Sequence, residues 1–390
     1  MLLLPMTMAV MGVTVLTPIV PLLLAEFKDT PHHEYWVMGG ILTMPSIWVM
    51  LFSPVAGWMA DRFGRRNLLL AAMIVYAFVG TAPVFLQNLY AIVASRIAVG
   101  ICESIVMTVS TTLICDYYAG RDRERWLAGQ TALASVSALG IIYLGGELGA
   151  AFGWRGPFYL YLYSLPLALA VFASIWEPAR GAAPADSAAT DEVRTTGFPR
   201  RLLGICAITL LASISFYTVI TKNGEALYSL GLTNAAAIGK LTMLASIGVP
   251  LGTFAYWKLS RLEIGWLLFI DFALVGGGFV LMGRATDTTA YTWGSFVNQI
   301  GCGLVLPTML VWATRGLAYA IRGRVSGLWQ ASFAIGQFLS GMVVTFLSKQ
   351  LGGLLPTLSV MGNAILGFAV IAAAAGAMWR TAHPPPLKIS

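Results

Sequence analysis

The sequence predicts an all-α integral membrane protein with twelve transmembrane helices in two pseudo-symmetric six-helix bundles. Three observations carry this. Of 390 residues 58% are hydrophobic and 11% charged, whereas an ordinary soluble protein carries about a quarter charged residues. The apolar residues fall into runs near the roughly 20 that a spanning helix needs. The two halves of the chain also share features at an offset of about half its length.

The apolar runs lie near residues 2–26, 36–60, 67–86, 90–114, 127–151, 157–176, 202–221, 234–257, 265–283, 292–314, 325–348 and 355–379. The first, Leu2 to Phe27, has no small-residue cleavage site at its end and reads as a retained helix. Short loops join most runs. The exception, 177–201, is rich in Ala, Pro, Asp and Thr and reads as a flexible linker. The organisation is therefore a first bundle at 1–176, the linker at 177–201, a second bundle at 202–379 and a tail at 380–390.

Basic residues set the orientation. With the amino terminus inside, seventeen of the 24 Lys and Arg fall in cytoplasmic loops, linker and tail, and five on the other side. The positive-inside rule then places both termini in the cytoplasm. The net charge of +7 reports this orientation, and no nucleic-acid partner is needed to explain it.

The repeat is visible in "GWMADRFGRR", which begins at Gly57, and its worn copy "GTFAYWKLSR", which begins at Gly252. Asp116 precedes Arg125 by nine residues, as Arg315 precedes Arg324. Six helices repeated twice suit a transporter whose bundles rock about a site at mid-membrane.

The first of these stretches gathers Asp61, Arg62, Arg65 and Arg66 between apolar helices. Gly57 allows close approach of another helix, and Gly64 permits a tight reversal. Asp61, at a helix end, can accept N–H groups from the start of a neighbouring helix, where the dipole favours an anion. The alternative is that the arginines only anchor topology.

This stretch resembles the signature loop between helices two and three of the major facilitator superfamily, complete in Gly57, Asp61, Arg62, Gly64, Arg65 and Arg66. Other segments resemble its twelve-span drug:proton antiporters. Gly12, Pro18 and Pro21 match the first-helix motif, with Met11 where leucine is usual. Arg96 and Gly100 match the fourth-helix motif, with Val99 in place of glutamine. Gly140, Gly145, Gly146 and Gly149 match the glycines of the fifth-helix motif, whose proline is missing. The resemblance covers essentially the whole chain. It implies that Asp61 meets the start of helix eleven near Val325 and that Arg65 pairs with Asp116, so that these charges latch the cytoplasmic side.

Ionisable groups inside spans are functional suspects by default. Glu103 lies midway along helix four, and Arg96 is seven residues earlier, on the same face but two turns away. Glu103 either carries a coupled proton or stays a neutral acid bonded to a neighbouring helix. Glu147, among the helix-five glycines, is the next candidate carrier, or else a gate or helix contact. Asp271 in helix nine is expected to pair structurally, and Lys222 with Glu225 to form a solvated rim pair.

The resemblance places the substrate cavity among helices one, four, seven and ten. These offer Met6, Met8 and Met11, then Met107, then Phe216 and Tyr217, then Trp293, Phe296, Asn298 and Gln299. Methionine and aromatic walls adapt to many apolar shapes, and amides orient a guest. Plain helix packing is the alternative for each.

No catalytic, metal or cofactor pattern stands out. The four cysteines, Cys102, Cys115, Cys206 and Cys302, lie in apolar runs without ligand spacing, and only three histidines occur. His32 and His33 beside Glu34 are weak grounds for a metal. No glycine-rich phosphate loop supports ATP hydrolysis. The expectation is a non-enzymatic, monomeric, multi-pass plasma-membrane protein, in a bacterium an inner-membrane one. Its partners are a small molecule, protons and the bilayer. Proton-coupled export of apolar or amphiphilic compounds leads, and proton-coupled uptake of a small organic acid is the alternative.

Overall fold

The computed structural model describes residues 2–177, 198–314 and 319–382. Most of the linker 177–201, Arg315 and residues 383–390 of the tail lie outside the described residues. Within them the chain is helical, and eleven helical stretches are long and apolar enough to cross a membrane.

One stretch, Gly120–Ser174, has 55 residues. At 1.5 Å per residue it is far longer than one bilayer crossing. Gly153, with φ +65°, breaks it, and a 3₁₀ segment, Gly153–Tyr163, begins the return. It therefore holds the two expected spans five and six, and the count of twelve stands.

The spans are α1 (Met6–Glu26), α2 (His33–Phe63), α3 (Arg65–Val84) and α4 (Leu89–Tyr117). Next come α5 (Gly120–Phe152), α6 (Gly153–Tyr163 continued by Ser164–Ser174) and α7 (Phe198–Ser229). Then follow α8 (Ala235–Leu259), α9 (Ile264–Gly283), α10 (Thr288–Thr314), α11 (Tyr319–Gln350) and α12 (Leu354–Ala382). Side chains of the residue just before the helix accept backbone N–H groups at the start of three of them: Asn88 at α4, Asn234 at α8 and Asp287 at α10. Such caps satisfy donors that the helix itself cannot. α1 is interrupted at Thr17–Ile19, where Pro18 sits, because proline cannot continue the i−4 ladder.

Two large apolar cores form, beside a small cluster of Ile205, Ala313 and Val325. One draws its buried residues from Leu2 to Ile175, with Ala235 alone from the second half. The other runs from Ala212 to Ala369. Between the halves, α2 packs on α11, α5 on α8, and α1 on α7.

The closest of these cross-contacts gather at one end. Thr43 Oγ1 donates to the Phe338 carbonyl at 3.1 Å, and Lys349 pairs with Glu34. Gly146 lies against Gly239, and Gly224 against the Thr17 carbonyl. At the other end, that of Gly64, α2 exposes Leu51, Val55 and Trp58, and nothing lies within 4 Å of where a Cβ on Gly57 would be. Among the described residues the two halves meet at the Glu34 end and are parted at the Gly64 end.

Candidate functional site

The first cluster lies inside the amino-terminal core. Arg96 on α4 is fully buried. Its Nε donates to the Ile41 carbonyl (3.0 Å), Nη1 to the Tyr161 hydroxyl (2.8 Å) and Nη2 to the Gly12 carbonyl (2.6 Å). One side chain thus ties α4 to α2, α6 and α1, the fixed fork of a guanidinium suiting three acceptors at once. Gly100, one turn on, lets α2 approach: a Cβ there would lie 2.6 Å from the Pro45 carbonyl.

Glu103 is 3% exposed. A Cβ on Gly12 would sit 2.5 Å from its Oε1, so the glycine makes the seat for the carboxyl. Tyr76 on α3 donates to the Met8 carbonyl at 2.8 Å and lies 3.3 Å from Glu103 Oε1. Arg96 and Glu103 both meet α1 at Gly12, the one at its carbonyl and the other where a Cβ would stand, without forming an ion pair with each other. The two-turn spacing is bridged by the backbone of α1 at a glycine. A tyrosine pair closes the cluster, Tyr76 and Tyr161 having ring centroids 5.0 Å apart.

The second cluster is the loop at the parted end. Gly64 has φ +89°, a conformation that favours glycine. Arg65 pairs with Asp116 at the end of α4, and its Nη2 lies 3.5 Å from Asp61. Arg62 stacks over Trp58 at 5.5 Å. Arg66 donates to the Phe172 carbonyl at 2.7 Å and stacks on the Phe172 ring at 4.7 Å.

Two expected contacts, which belong to the closed state of the latch, are not made in this conformation. Asp61 is 74% exposed rather than docked on α11, and Gly57 faces open space rather than a helix. Both follow from the halves being parted at this end.

Other sequence-nominated residues scatter. Gly145 packs on the Val15 carbonyl, Gly146 on α8, and Gly149 on Ile19 and Ala235, while Gly140 faces open space. Glu147 is exposed, on the side of α5 away from the packed glycines and beside Tyr143. The structure thus shows this candidate carrier or gate residue as an exposed carboxylate, not one enclosed among the helices. Met8 and Met11 are sealed within the first core, not aligned on a cavity. Asn298 is turned away as well, donating to the Val275 carbonyl on α9 at 2.8 Å.

Met107 and Phe296 are half-buried, and Gln299 is buried against Gly248 of α8. Phe216 and Tyr217 form an aromatic group with Phe333, Tyr217 and Phe333 being 5.6 Å apart. Among the described residues no cluster of His, Cys, Asp or Glu could hold a metal.

Two charged expectations are corrected. Lys222 is 2% exposed, bonded to Glu225 Oε2 at 2.6 Å and to Thr345 Oγ1 at 2.8 Å. The lysine is buried against Thr345 of α11 while Glu225 stays 31% exposed, so this is a half-buried pair and not a solvated rim pair. Asp271 is buried with Thr308 beside it and makes no ion pair among the described residues.

Sequence reasoning missed Glu177, Tyr76 and Tyr161. The tyrosines had no signal beyond aromatic content. Glu177 has one, a lone acid directly after the sixth apolar run, but it falls in the stretch 177–201 whose composition reads as linker.

A family model described as Major Facilitator Superfamily matches residues 2–341. The Tetracycline resistance protein, class C, of Escherichia coli is 33% identical over 150 residues, covering 37% of this chain and 36% of that protein. The Putative multidrug resistance protein MdtD of Pectobacterium carotovorum subsp. carotovorum (strain PC1) is 22% identical over 400 residues, covering 92% of this chain and 80% of that one. Among solved structures, a bacterial homolog of the human lysosomal transporter Spinster, inward-facing and occupied, superposes with TM-score 0.74. Its identity is 17%, over 95% of this chain and 94% of that chain.

Proposed function

The chain belongs to the major facilitator superfamily, and on that premise we propose that it is a proton-coupled exporter of apolar or amphiphilic small molecules. It is a multi-span membrane transporter and not an enzyme. In the proposed cycle the bundles at 1–176 and 202–379 alternate between the parting seen here and a form closed at the Gly64 end. The excess of basic residues there supports a cytoplasmic assignment of that end and of both termini. Labelling a cysteine at position 187 only from inside intact cells would agree with this.

The observation that carries the reading is Glu103 seated on Gly12. A carboxyl without an ion-pair partner is costly to keep ionised in an apolar core. It becomes affordable as a neutral acid, and Tyr76 suits that form. The tyrosine has one proton, best used at 2.8 Å on the Met8 carbonyl, which leaves its oxygen to accept from a protonated Glu103. Release of that proton into an opened cavity, in exchange for an apolar or cationic guest, would couple the two movements. The aromatic group of Phe216, Tyr217 and Phe333 supplies a wall for such a guest. Relatives named for tetracycline and multidrug resistance agree with export.

Uptake of an organic anion needs a fixed cation free to meet it. The nitrogens of Arg96 are all engaged with neutral acceptors, and Lys222 is neutralised by Glu225. This weighs against uptake. The test is purified, monomeric protein in vesicles with an imposed pH gradient, screened against diverse compounds. Uphill movement of neutral or cationic apolar compounds supports export, and accumulation of an organic anion overturns it.

A further inference from the structure

We propose that Glu177 is a positioning residue of the gate at the Gly64 end: it caps α3 and so keeps Asp61 available to close that gate. Its two carboxylate oxygens accept the Arg65 N–H at 2.7 Å and the Arg66 N–H at 2.8 Å. These are the first two residues of α3, whose early N–H groups have no partner within the helix and whose dipole favours an anion. Glu177 is therefore a carboxylate cap delivered from 111 and 112 positions away in sequence. Gly64 makes room for it, since a Cβ there would lie 3.1 Å from Oε1.

The end of α6 is fastened at further points. The Phe172 carbonyl and ring hold Arg66. The Trp176 carbonyl accepts the Tyr117 hydroxyl, and the two rings stack at 4.6 Å. The segment that joins the two bundles thus departs from the gating loop itself.

The consequence is an allocation of carboxylates. Among the described residues three lie around the loop: Asp61, Asp116 and Glu177. Asp116 is held by Arg65 and Glu177 by the start of α3. Asp61 makes only the 3.5 Å approach to Arg65 and is 74% exposed. It is the one with spare capacity for a helix start arriving from the other bundle. Without Glu177, the uncapped start of α3 and the freed Arg66 compete for Asp61, and the gate closes less often.

This rests on the latch reading of Asp61, and the experiment separates the two. Full-length protein lacking its four native cysteines is spin-labelled at Trp58 on α2 and Leu328 on α11, both exposed. Distance distributions are recorded in nanodiscs without substrate or pH gradient, so the result does not depend on proton coupling. Asp61→Asn, Glu177→Gln, Glu177→Asp, and the double variant Asp61→Asn/Glu177→Gln are compared. Glu177→Gln keeps shape and one acceptor, so it reports charge rather than collapse.

The expected result is a severalfold fall in the closed population for Glu177→Gln, with partial recovery in Glu177→Asp. The double variant should be no more open than Asp61→Asn alone. If Glu177→Gln leaves the distribution unchanged while Asp61→Asn opens it, the latch stands and the positioning role of Glu177 falls. Multiplicative effects in the double variant also overturn the proposal, because the two residues then act independently. If Asp61→Asn itself has no effect, the latch fails and the proposal with it.

Discussion

A Cβ placed on Gly12 would lie 2.5 Å from Oε1 of Glu103, so the first helix of this chain is built around a carboxyl of the fourth. Gly12→Ala should push that carboxyl off its seat. Overpacking of this kind costs about 1–3 kcal/mol. The variant should fold with a slightly lower Tm yet lose most pH-driven transport, while Gly140→Ala, where space is open, should lose none. Vesicle transport with melting curves on both variants checks this.

Arg96 makes a different prediction, because it spreads three hydrogen bonds over three helices. Lysine has the charge but a single nitrogen. Arg96→Lys should leave at least one of the Ile41 and Gly12 carbonyls and the Tyr161 hydroxyl without its donor, at about 1–3 kcal/mol. A Tm lowered by several degrees is expected in a thermal melt. Wild-type stability would mean that the guanidinium geometry is unimportant.

The physical reason for what was legible is local. The spans were readable because each is a run of apolar residues whose meaning needs no partner. Gly64 was readable because a reversal between two helices demands its φ. Lys222 was misjudged because its neighbour Glu225 is visible in sequence whereas Thr345, on α11, is not. Asn298 was misassigned because an amide on a helix has no stated direction until α9 is beside it. Glu177 is the extreme case. Its role depends wholly on α3, more than a hundred residues away, and composition marked it as linker. The state of the Gly64 end was illegible for another reason: in the proposed cycle one sequence must encode both the parted arrangement seen here and a closed one.

At the closed end, backbone contact should outweigh charge. Lys349 and Glu34 are 48% and 37% exposed, and such pairs contribute about 0–1 kcal/mol. Gly239 instead meets the Cα of Gly146, 2.9 Å from where its own Cβ would be. Glu34→Gln should therefore change little, whereas Gly239→Ala should wedge α5 from α8. Spin labels at Trp36 and Leu351 should lengthen their separation in the second variant only.

The parted end gives the converse expectation. Asp61→Asn removes the charge that would meet α11 on closure, a bond of roughly 1.5–3 kcal/mol. A balanced two-state equilibrium then shifts by about tenfold or more. Transport should fall with folding intact, which turnover in vesicles and size-exclusion profiles measure together. Normal turnover would return the arginines of this loop to plain topology anchors.

Glu103 supplies the coupling prediction. If proton and substrate compete, the form that binds substrate is the one in which Glu103 has released its proton. Substrate affinity must then rise with pH across the range where Glu103 titrates, by up to about tenfold per pH unit for one coupled proton. It must fall as pH drops through that range. Glu103→Gln fixes the neutral shape, so there is no proton to exchange and the slope disappears. Binding becomes pH-independent at the weak level of the protonated wild type, uphill transport driven by a pH gradient is abolished, and only downhill exchange at high substrate concentration survives. Substrate Kd measured at several pH values, beside gradient-driven uptake into vesicles, tests both halves of the claim. Retention of the slope together with near wild-type uphill transport in Glu103→Gln would make Glu103 a packing residue. Asp271, buried with Thr308 at its side, would then be the next carboxyl to replace.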